Sequence, residues 1–468
     1  MAIRSSPGRV RSGSRGGRFK RDLRAPQLAL LTVGGVMGSG LFLASGLAIH
    51  AAGPAALGVF ALGSIAMYLE ITALGEMSAA DPRPGSFLVY AREVLGPGVT
   101  FVAGWIYWVS SVLTMSSEVT AAALFTQLWA PHVALWVFTV AYSALIVGLN
   151  FVSVRGFGTI EGLMAGVKTL AVLAFVAGGA LLLGHVRAPV ALPGAGGWLP
   201  HGLRGVAPSM VLVLFAYAGT GVIGMAAAES ADPARTIRGA VRASVIAIPI
   251  LYIGSVWLLL RLVPWTRMPT ASSPFVAAVN ALGLPGAATL LNVVLLFAVL
   301  STMNAALYAN VRVLYSLAGE KEAPAALGRL NGRGLPVAAT WTSAGLLAVT
   351  LLMAYFLPHK AYAYLVTATG FQAMFIWLVI LATHLRYRRH LLRTRPERLK
   401  WRLWGYPYTT YFVMAVVLVA LAGAPLAHGE EVGALIGLAG IVAMVPVWYA
   451  VRGRILTRAG PGGQPPGG

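Results

Sequence analysis

Five ionisable residues lie within or at the edge of long apolar stretches, and they are the first candidates for chemistry. They are Glu70, Glu76, Glu118, Glu161 and Lys168. A charge inside an apolar environment is unfavourable, so each such residue needs a partner or a function. Lys168 follows Glu161 by seven residues, which predicts one shared helix face with the two positions about two turns, roughly 10 Å along the axis, apart.

Lys168 is the strongest of these candidates. A lysine stem reaches water with difficulty over that distance, so its ammonium is expected to stay away from solvent. Burial disfavours the charged form, and the residue could then release and recover a proton near physiological pH. Such a group suits a proton-coupled carrier.

The four glutamates carry different expectations. Glu118 lies deep in its stretch, where a protonated carboxyl hydrogen-bonded across helices and a proton-exchanging group on a pathway are both open. Glu76 is expected to pair with Arg83 or Arg92, which makes a structural role the better interpretation for it and for its neighbour Glu70. Glu161 opens a predicted helix, where a carboxylate suits the positive helix start, and it is interpreted as structural too.

The elements that must position these residues are membrane helices. Of 468 residues, 58% are hydrophobic and only 10% are charged, whereas soluble domains carry roughly a quarter charged residues. Apolar runs of about 20 residues, the length that crosses a bilayer, recur along the chain. The sequence therefore predicts an all-α polytopic membrane protein. Twelve spans are predicted, at residues 26–50, 55–80, 98–128, 133–154, 160–184, 207–228, 242–263, 284–311, 336–357, 361–384, 406–427 and 433–451.

The distribution of basic residues predicts the orientation. With both termini cytoplasmic, 29 of the 35 Lys and Arg fall in inside segments and 5 in outside segments, as the positive-inside rule requires. Residues 1–25 form a basic Gly/Ser-rich stretch, interpreted as a disordered cytoplasmic tail, and residues 452–468 form a second tail. Between them, residues 26–451 are expected to form one membrane domain in the cytoplasmic membrane.

Several function classes find no support in the residues. The absence of cysteine excludes disulfides and Cys-ligated zinc, and the eight histidines show no metal-ligand spacing. No zinc-protease, nucleophile-elbow or phosphate-loop motif occurs, so neither an enzyme nor an ATP-driven pump is expected. The net charge of +21 is attributed to membrane topology, not to nucleic-acid binding. No cofactor or metal is expected.

Glycine clusters interrupt two of the predicted spans. They are Gly34-Gly35-Val36-Met37-Gly38-Ser39-Gly40 in span 1 and Gly219-Thr220-Gly221-Val222-Ile223-Gly224 in span 6. Glycine weakens a helix interior by about 1 kcal/mol. The two positions correspond if spans 1–5 and 6–10 are repeats of opposite orientation, which indicates broken helices at a midplane substrate site. Either cluster alone fits a close-packing surface equally well.

Motifs along nearly the whole chain, from about residue 30 to 448, resemble those of the amino acid permeases of the amino acid-polyamine-organocation superfamily. They are Gly34 to Phe42, Pro84-Gly85-Ser86-Phe87 with Tyr90-Ala91 and Gly96-Pro97, Gly104-Trp105-x-Tyr107-Trp108 with Glu118, Asn150 through Arg155 with Glu161 and Lys168, Phe215 to Gly224, Glu229 with Asp232-Pro233, Asn304 with Tyr308 and Arg312, Asn331-x-Arg333-Gly334-x-Pro336, and Tyr406-Pro407.

The resemblance implies a five-plus-five inverted repeat, at about residues 26–184 and 207–384, followed by two accessory helices at 406–451. It implies transport of an amino acid by alternating access. The substrate carboxylate would meet amides at Gly38, Ser39 and Gly40, as the anion affinity of helix starts also predicts. The ammonium would meet carbonyls around Val33 or Gly34 and from Phe215 through Ala216 and Tyr217 to Ala218, beside Gly219. Phe215 would be an aromatic gate, while Tyr217 could instead serve helix packing.

The resemblance further implies proton coupling at Lys168, which matches a basic residue standing where some relatives bind sodium. Gly221 departs from the family, which usually has Glu there. This departure weakens a cationic-substrate interpretation and shifts proton handling to Lys168 and Glu118. The sequence thus predicts a proton-coupled importer of a neutral L-amino acid, with protons and membrane lipids as its other partners. Side-chain selectivity is expected from Trp108 and Ser111, Tyr217 and Gly221, and Asn304.

Other functions stay open at this point. Amino acid exchange and uptake of a cationic amino acid or polyamine are the alternatives within transport. From other classes, a non-transporting sensor would be expected to carry a large regulatory tail, and a membrane enzyme would need converging carboxylates. The identity of the amino acid and the oligomeric state do not follow from the sequence.

Overall fold

A computed structural model describes residues 25–83, 87–152, 157–185, 190–194, 196–221, 223, 232–331, 335–426 and 431–458. Within these residues the secondary structure is helical, without a β-strand. The α-helices are α1 (Ala25–Val36), α2 (Ser39–Phe42), α3 (Ala44–Ala52), α4 (Ala56–Ala80), α5 (Phe87–Leu95), α6 (Pro97–Gln127), α7 (Leu135–Val152), α8 (Phe157–Leu182), α9 (Gly202–Ala216), α10 (Pro233–Leu262), α11 (Pro274–Ala281), α12 (Ala287–Gly319), α13 (Val337–Phe356), α14 (Ala361–Thr394), α15 (Tyr408–Gly423) and α16 (Glu431–Arg458).

Most of these helices are apolar enough for a bilayer. Eight helical segments of the described residues are long and apolar enough to cross a membrane, and four shorter ones, Ala25–Val36, Leu135–Phe151, Gly202–Ala216 and Tyr408–Gly423, are apolar as well. In lipid a helix satisfies its own backbone hydrogen bonds, which explains why this architecture suits such a sequence. Leu163 and Leu170 of α8 are exposed by 69% and 66%, as expected for a lipid-facing side. The twelve-span arrangement stays a prediction.

Several helices depart from the predicted spans. The helix in span 6 ends at Ala216, well before the predicted end at residue 228, and residues 217–221 form a turn. Two short helices, α5 and α11, occupy segments predicted as connections. Helix α5 is amphipathic, burying Phe87 and Tyr90 and placing Arg92 among acidic side chains, so no long apolar run marks it.

Helix α6 is central to the packing. It lies against α7, α12 and α14, while α1 packs on α8 and α10, and α9 packs on α3 and α14. This arrangement surrounds the region where α1 and α9 end. It therefore places residues of both glycine clusters beside α4, α6 and α12.

Parts of the predicted motifs lie outside the described residues. These are the tail up to residue 24, Pro84-Gly85-Ser86, Arg155, Val222, Gly224, Glu229, Arg333-Gly334 and residues 459–468.

Candidate functional site

The first helix break lies between α1 and α2. Helix α1 ends at Val36, and α2 begins at Ser39 after the non-helical pair Met37-Gly38. The Ser39 amide donates to both carboxyl oxygens of Glu118, at 3.1 and 2.9 Å, and its hydroxyl donates to one of them at 3.1 Å. Amides of a first helical turn lack partners within the helix and favour a negative group. The Glu118 side chain, from α6, thus caps α2.

Gly38 makes that contact sterically feasible. A Cβ atom at this position would overlap the Glu118 carboxyl group. Glycine is therefore required for the carboxyl to approach the backbone so closely.

The second break follows α9. Helix α9 ends at Ala216, and Gly219 in the turn that follows has φ +110°, a backbone conformation that favours glycine. A Cβ at Gly219 would lie 3.2 Å from the carbonyl oxygen of Gly35. The turn thus packs directly on the last residues of α1.

The two breaks contact each other. A Cβ at Gly40 would lie 2.7 Å from the Ala216 Cα, so only glycine fits there without displacement. The hydroxyl of Tyr252, a fully buried residue of α10, lies 2.7 Å from the Val36 carbonyl oxygen and 3.0 Å from that of Ala216. A single tyrosine therefore bridges the ends of α1 and α9.

A cavity of about 180 Å³ adjoins both breaks. The breaks supply part of its lining: Gly35, Gly40, Phe215, Ala218, Gly219, Thr220 and Gly221. The side chains of Glu70, Tyr107, Ser111, Glu118 and Thr302 add polar groups, and Phe87, Ala306 and Trp377 belong to a largely apolar wall. A largely apolar cavity with a few convergent polar groups is typical of a small-molecule site.

Lys168 lies behind the first break. Its ammonium Nζ donates to the Thr302 hydroxyl at 3.0 Å and to the Gly34 carbonyl oxygen at 3.3 Å, and it lies 3.9 Å from Glu161 Oε1. The Lys168 side chain is 1% exposed. Ser301 donates to the same Glu161 oxygen at 2.8 Å. Lys168 consequently joins α1, α8 and α12 at one point.

Comparison with known proteins identifies the family. The amino acid permease family matches residues 27–437. This chain belongs to the amino acid permease family. A Bacillus subtilis (strain 168) protein described as the uncharacterized amino acid permease YtnA is 34% identical over 441 residues, covering 92% of this chain and 93% of the relative. The family and these relatives are transporters, not enzymes, and the chain is a multi-pass membrane protein.

Two further relatives carry substrate names. The gamma-aminobutyric acid permease of Bacillus subtilis (strain 168) is 34% identical over 413 residues, covering 86% of this chain and 88% of the relative. The aromatic amino acid transport protein AroP of Escherichia coli O6:H1 is 34% identical over 447 residues, covering 94% of this chain and 95% of the relative.

The structure brings many of the predicted residues of this permease together. Gly40, Ser111, Glu118, Phe215, Ala218, Gly219 and Gly221 line the cavity. Val33, Gly34, Gly38, Ser39 and Ala216 lie at the breaks but outside that lining. Three of their backbone groups already have protein partners, since Lys168 binds the Gly34 carbonyl, Glu118 binds the Ser39 amide and Tyr252 lies on the Ala216 carbonyl.

Three residues predicted to set selectivity lie apart from the cavity lining. Trp108 donates its indole N–H to the Ser343 hydroxyl at 3.2 Å, and Asn304 accepts from the Asn150 amide at 2.9 Å. Tyr217 stacks on Tyr252 with ring centroids 4.8 Å apart, and its hydroxyl lies 2.7 Å from that of Ser64. These contacts favour helix packing for all three, because each side chain is directed to a neighbouring helix.

Sequence reasoning missed other residues of the site. Glu70, interpreted as structural, lines the cavity and accepts a hydrogen bond from the Thr220 hydroxyl at 2.9 Å. Tyr252 and Thr302 are missed because an isolated tyrosine or threonine in an apolar span carries no spacing signal. The buried acid Glu70 did carry a signal, namely an unexplained charge in a span.

A second group of charges lies at helix ends, and we call it the helix-end cluster: Asp81, Arg83, Arg92, Glu93, Glu320, Glu322 and Arg398. Arg83 pairs with Asp81 and, at 2.9 Å, with Glu93. Arg92 pairs with Glu320 at 2.5 Å and with Glu322. Glu76 is separate, for it pairs with Arg388 at 3.2 Å instead of the predicted Arg83 or Arg92.

The pKa values in this cluster differ with burial. Burial alone would raise the pKa of Asp81, but hydrogen bonds from Arg83 and Tyr387 outweigh it and lower that pKa below its ordinary value. Burial raises the pKa of Glu322 to about 7, although the positive charge of Arg92 opposes the rise.

Proposed function

We propose that this permease imports a neutral L-amino acid by proton symport with alternating access. The observation that carries the proposal is the meeting of two helix breaks at one cavity, with Glu118 capping the first break and Lys168 bound behind it. A zwitterion needs both a donor and an acceptor site, and helix ends supply both. Relatives named for gamma-aminobutyric acid and for aromatic amino acids support substrates of this kind.

The carboxylate of the substrate would bind the amides of α2. The Ser39 amide is held by Glu118, so the substrate would have to displace that side chain. Protonation removes the negative charge of Glu118 and weakens its hydrogen bond to the amide. Substrate and proton would therefore bind together, because each favours the release of the capping carboxylate.

Lys168 would complete the coupling. Its ammonium group links the Gly34 carbonyl in α1 to the Thr302 hydroxyl in α12. Loss of its proton would remove its attraction to Glu161 and weaken its hold on both neighbours. Protonation or deprotonation of Lys168 would then change the strength of the contact between α1 and α12.

The same proposal includes the layout of the chain. It consists of twelve membrane helices in residues 26–451, with inverted repeats at about 26–184 and 207–384, accessory helices at about 406–451, and both termini in the cytoplasm. The bias of 29 basic residues against 5 supports this orientation.

The decisive experiment is uptake of a panel of labelled amino acids into proteoliposomes, with and without an inward proton gradient, at fixed sodium. Accumulation of one or a few neutral amino acids only with the gradient is expected. Exchange with preloaded substrate but no gradient-driven accumulation would make the permease an exchanger. Neither signal for any amino acid would overturn amino acid transport.

A cationic substrate is a second candidate, favoured by the two carboxyl groups that line the cavity, Glu70 and Glu118. In that case Glu118→Gln should abolish uptake of labelled arginine or lysine while uptake of neutral amino acids persists. Unchanged arginine and lysine uptake would exclude this role of Glu118.

A further inference from the structure

Glu70 is a buried acid that the proposed import mechanism leaves unused. Its residue is 1% exposed, and its carboxyl group adjoins the cavity at the second break. The Thr220 hydroxyl donates to its Oε2 at 2.9 Å. A carboxylate offers about four acceptor sites, of which this bond uses one.

A buried carboxylate requires a positive partner or a proton. Among the residues that the structure describes, no Lys, Arg or His lies within 4 Å of Glu70. Lys168, a buried cation behind the first break, is directed to Gly34, Thr302 and Glu161. Glu70 therefore either carries a proton or meets a positive group that enters the cavity.

Three of the carbonyl groups predicted to bind the substrate ammonium already accept a hydrogen bond. Gly34 accepts from Lys168 at 3.3 Å, Phe215 accepts from the Ala218 amide at 2.9 Å, and Ala216 accepts from Tyr252 at 3.0 Å. Of the carboxyl groups on the described cavity lining, Glu118 already accepts from the Ser39 amide, whereas Glu70 lies with Tyr107 and Thr220 at the second break, where it can meet an entering ammonium group.

We propose that Glu70 binds the ammonium group of the substrate and restricts the cavity to amine-bearing ligands. This inference rests on the proposed amino acid transport. It assigns the two ends of a zwitterion to different breaks, the carboxylate to α2 and the ammonium to the turn after α9.

The test compares ligands that differ only in the amine. Purified full-length permease in proteoliposomes, preloaded with the panel's best substrate, takes up the same labelled amino acid by counterflow. Phenylalanine against 3-phenylpropionate, and gamma-aminobutyrate against butyrate, serve as competitor pairs. In the unmodified permease the amine-bearing member of a pair should compete at least about tenfold better.

In Glu70→Gln that preference should shrink by at least about tenfold, because one partner of a buried charge pair is removed. Glu397→Gln, which removes an exposed carboxylate outside the cavity, should keep the full preference. Glu70→Asp retains the charge but draws it back by one methylene group. It should lower the preference by about threefold, and it provides the test if the Gln variant does not fold.

Different failures have different meanings. If the unmodified permease exchanges no amino acid, the proposed transport function fails and the competition cannot be read as substrate recognition. If it exchanges amino acids but Glu70→Gln keeps the full preference, the assignment of Glu70 is wrong while transport stands. Equally weakened competition by both members of a pair would show that Glu70 has a structural role. A retained preference for the amine, together with loss of uptake driven by the proton gradient, would show that Glu70 carries a proton instead. Both results would overturn the inference.

Discussion

The carboxyl groups at the cavity and those of the helix-end cluster have opposite kinds of partners. Glu118 and Glu70 accept from a backbone amide and from hydroxyl groups, Ser39 and Thr220. In the helix-end cluster, Asp81 and Glu93 each pair with Arg83. Charge is thus neutralised by fixed cations in one region, whereas in the other it is held by neutral donors.

This difference indicates which region is suited to change its state. A carboxylate paired with arginine loses an ion pair when it is protonated, so its ionised form is stabilised unless burial outweighs the pair, as it does at Glu322. A buried carboxyl group held by neutral donors loses less stabilising interaction energy when it is protonated. It can also exchange those donors for a ligand. The helix-end cluster is accordingly expected to fix the fold, and the cavity to bind and release.

The largest expected effect comes from Lys168→Ala, which removes the cation from behind the first break. Gradient-driven accumulation should fall about 100-fold or to background, because a buried charged contact worth several kcal/mol and a proton site are both lost. Uptake into proteoliposomes with an inward proton gradient measures it. Retention of counterflow exchange by Lys168→Ala would not contradict this prediction.

The matched control is Lys360→Ala, since Lys360 is an exposed lysine at the start of α14. It should retain accumulation. Full gradient-driven uptake by Lys168→Ala would remove Lys168 from the coupling mechanism.

A smaller effect is expected where the two breaks touch. Gly40→Ala places a methyl group 2.7 Å from the Ala216 Cα and should separate the breaks. Overpacking of this kind costs about 1–3 kcal/mol, so counterflow uptake should fall about tenfold. Gly58→Ala has open space around its Cβ and should behave like the unmodified permease. Equal activity of both variants would contradict a tight contact between the breaks.

The smallest effect concerns the pH dependence of stability at the helix-end cluster. The pKa of Glu322 is raised from 4.5 to about 7, so the folded permease keeps a proton that the unfolded chain releases between those values. Stability should therefore decrease as pH rises through this window and level off above it. The Tm of the detergent-solubilised permease, scanned from pH 5 to 7.5 in matched buffers, should fall by about 1–3 °C.

Glu322→Gln lacks this proton and should give a flatter Tm profile. Glu397→Gln removes an exposed carboxylate that does not belong to the helix-end cluster and should preserve the slope. Identical slopes in the two variants would show that another group controls the pH response.

The sequence predicted the helical class and the neighbourhood of the site, since apolar length and glycine clusters are local signals. The family assignment that the motifs indicated is confirmed by the match over residues 27–437. Side-chain directions were harder to predict. Trp108 and Asn304 lie on helices that line the cavity, but their side chains are directed to other neighbours. Successive side chains on a helix are rotated by about 100°, so a shift of one residue is enough to turn a side chain away from the cavity.

Contacts between residues far apart in the sequence could not be predicted either. Glu118 and Ser39 are 79 positions apart, and Thr220 and Glu70 are 150 apart. Nothing in the local pattern specifies such a pair, because it depends on how separate helices pack. Glu76 illustrates the same limit, for its partner Arg388 is 312 positions away while the predicted partners were close in sequence.

The position of Tyr252 has a mechanical consequence. Its hydroxyl carries one proton, yet it lies within hydrogen-bonding distance of the carbonyl groups that end α1 and α9. While both helix ends stay near the Tyr252 hydroxyl, its proton is shared between the two carbonyl groups, and the ends of α1 and α9 are expected to move together. When they move apart, the proton can follow only one of them, and the other carbonyl gains a vacant lone pair at the moment the gap widens.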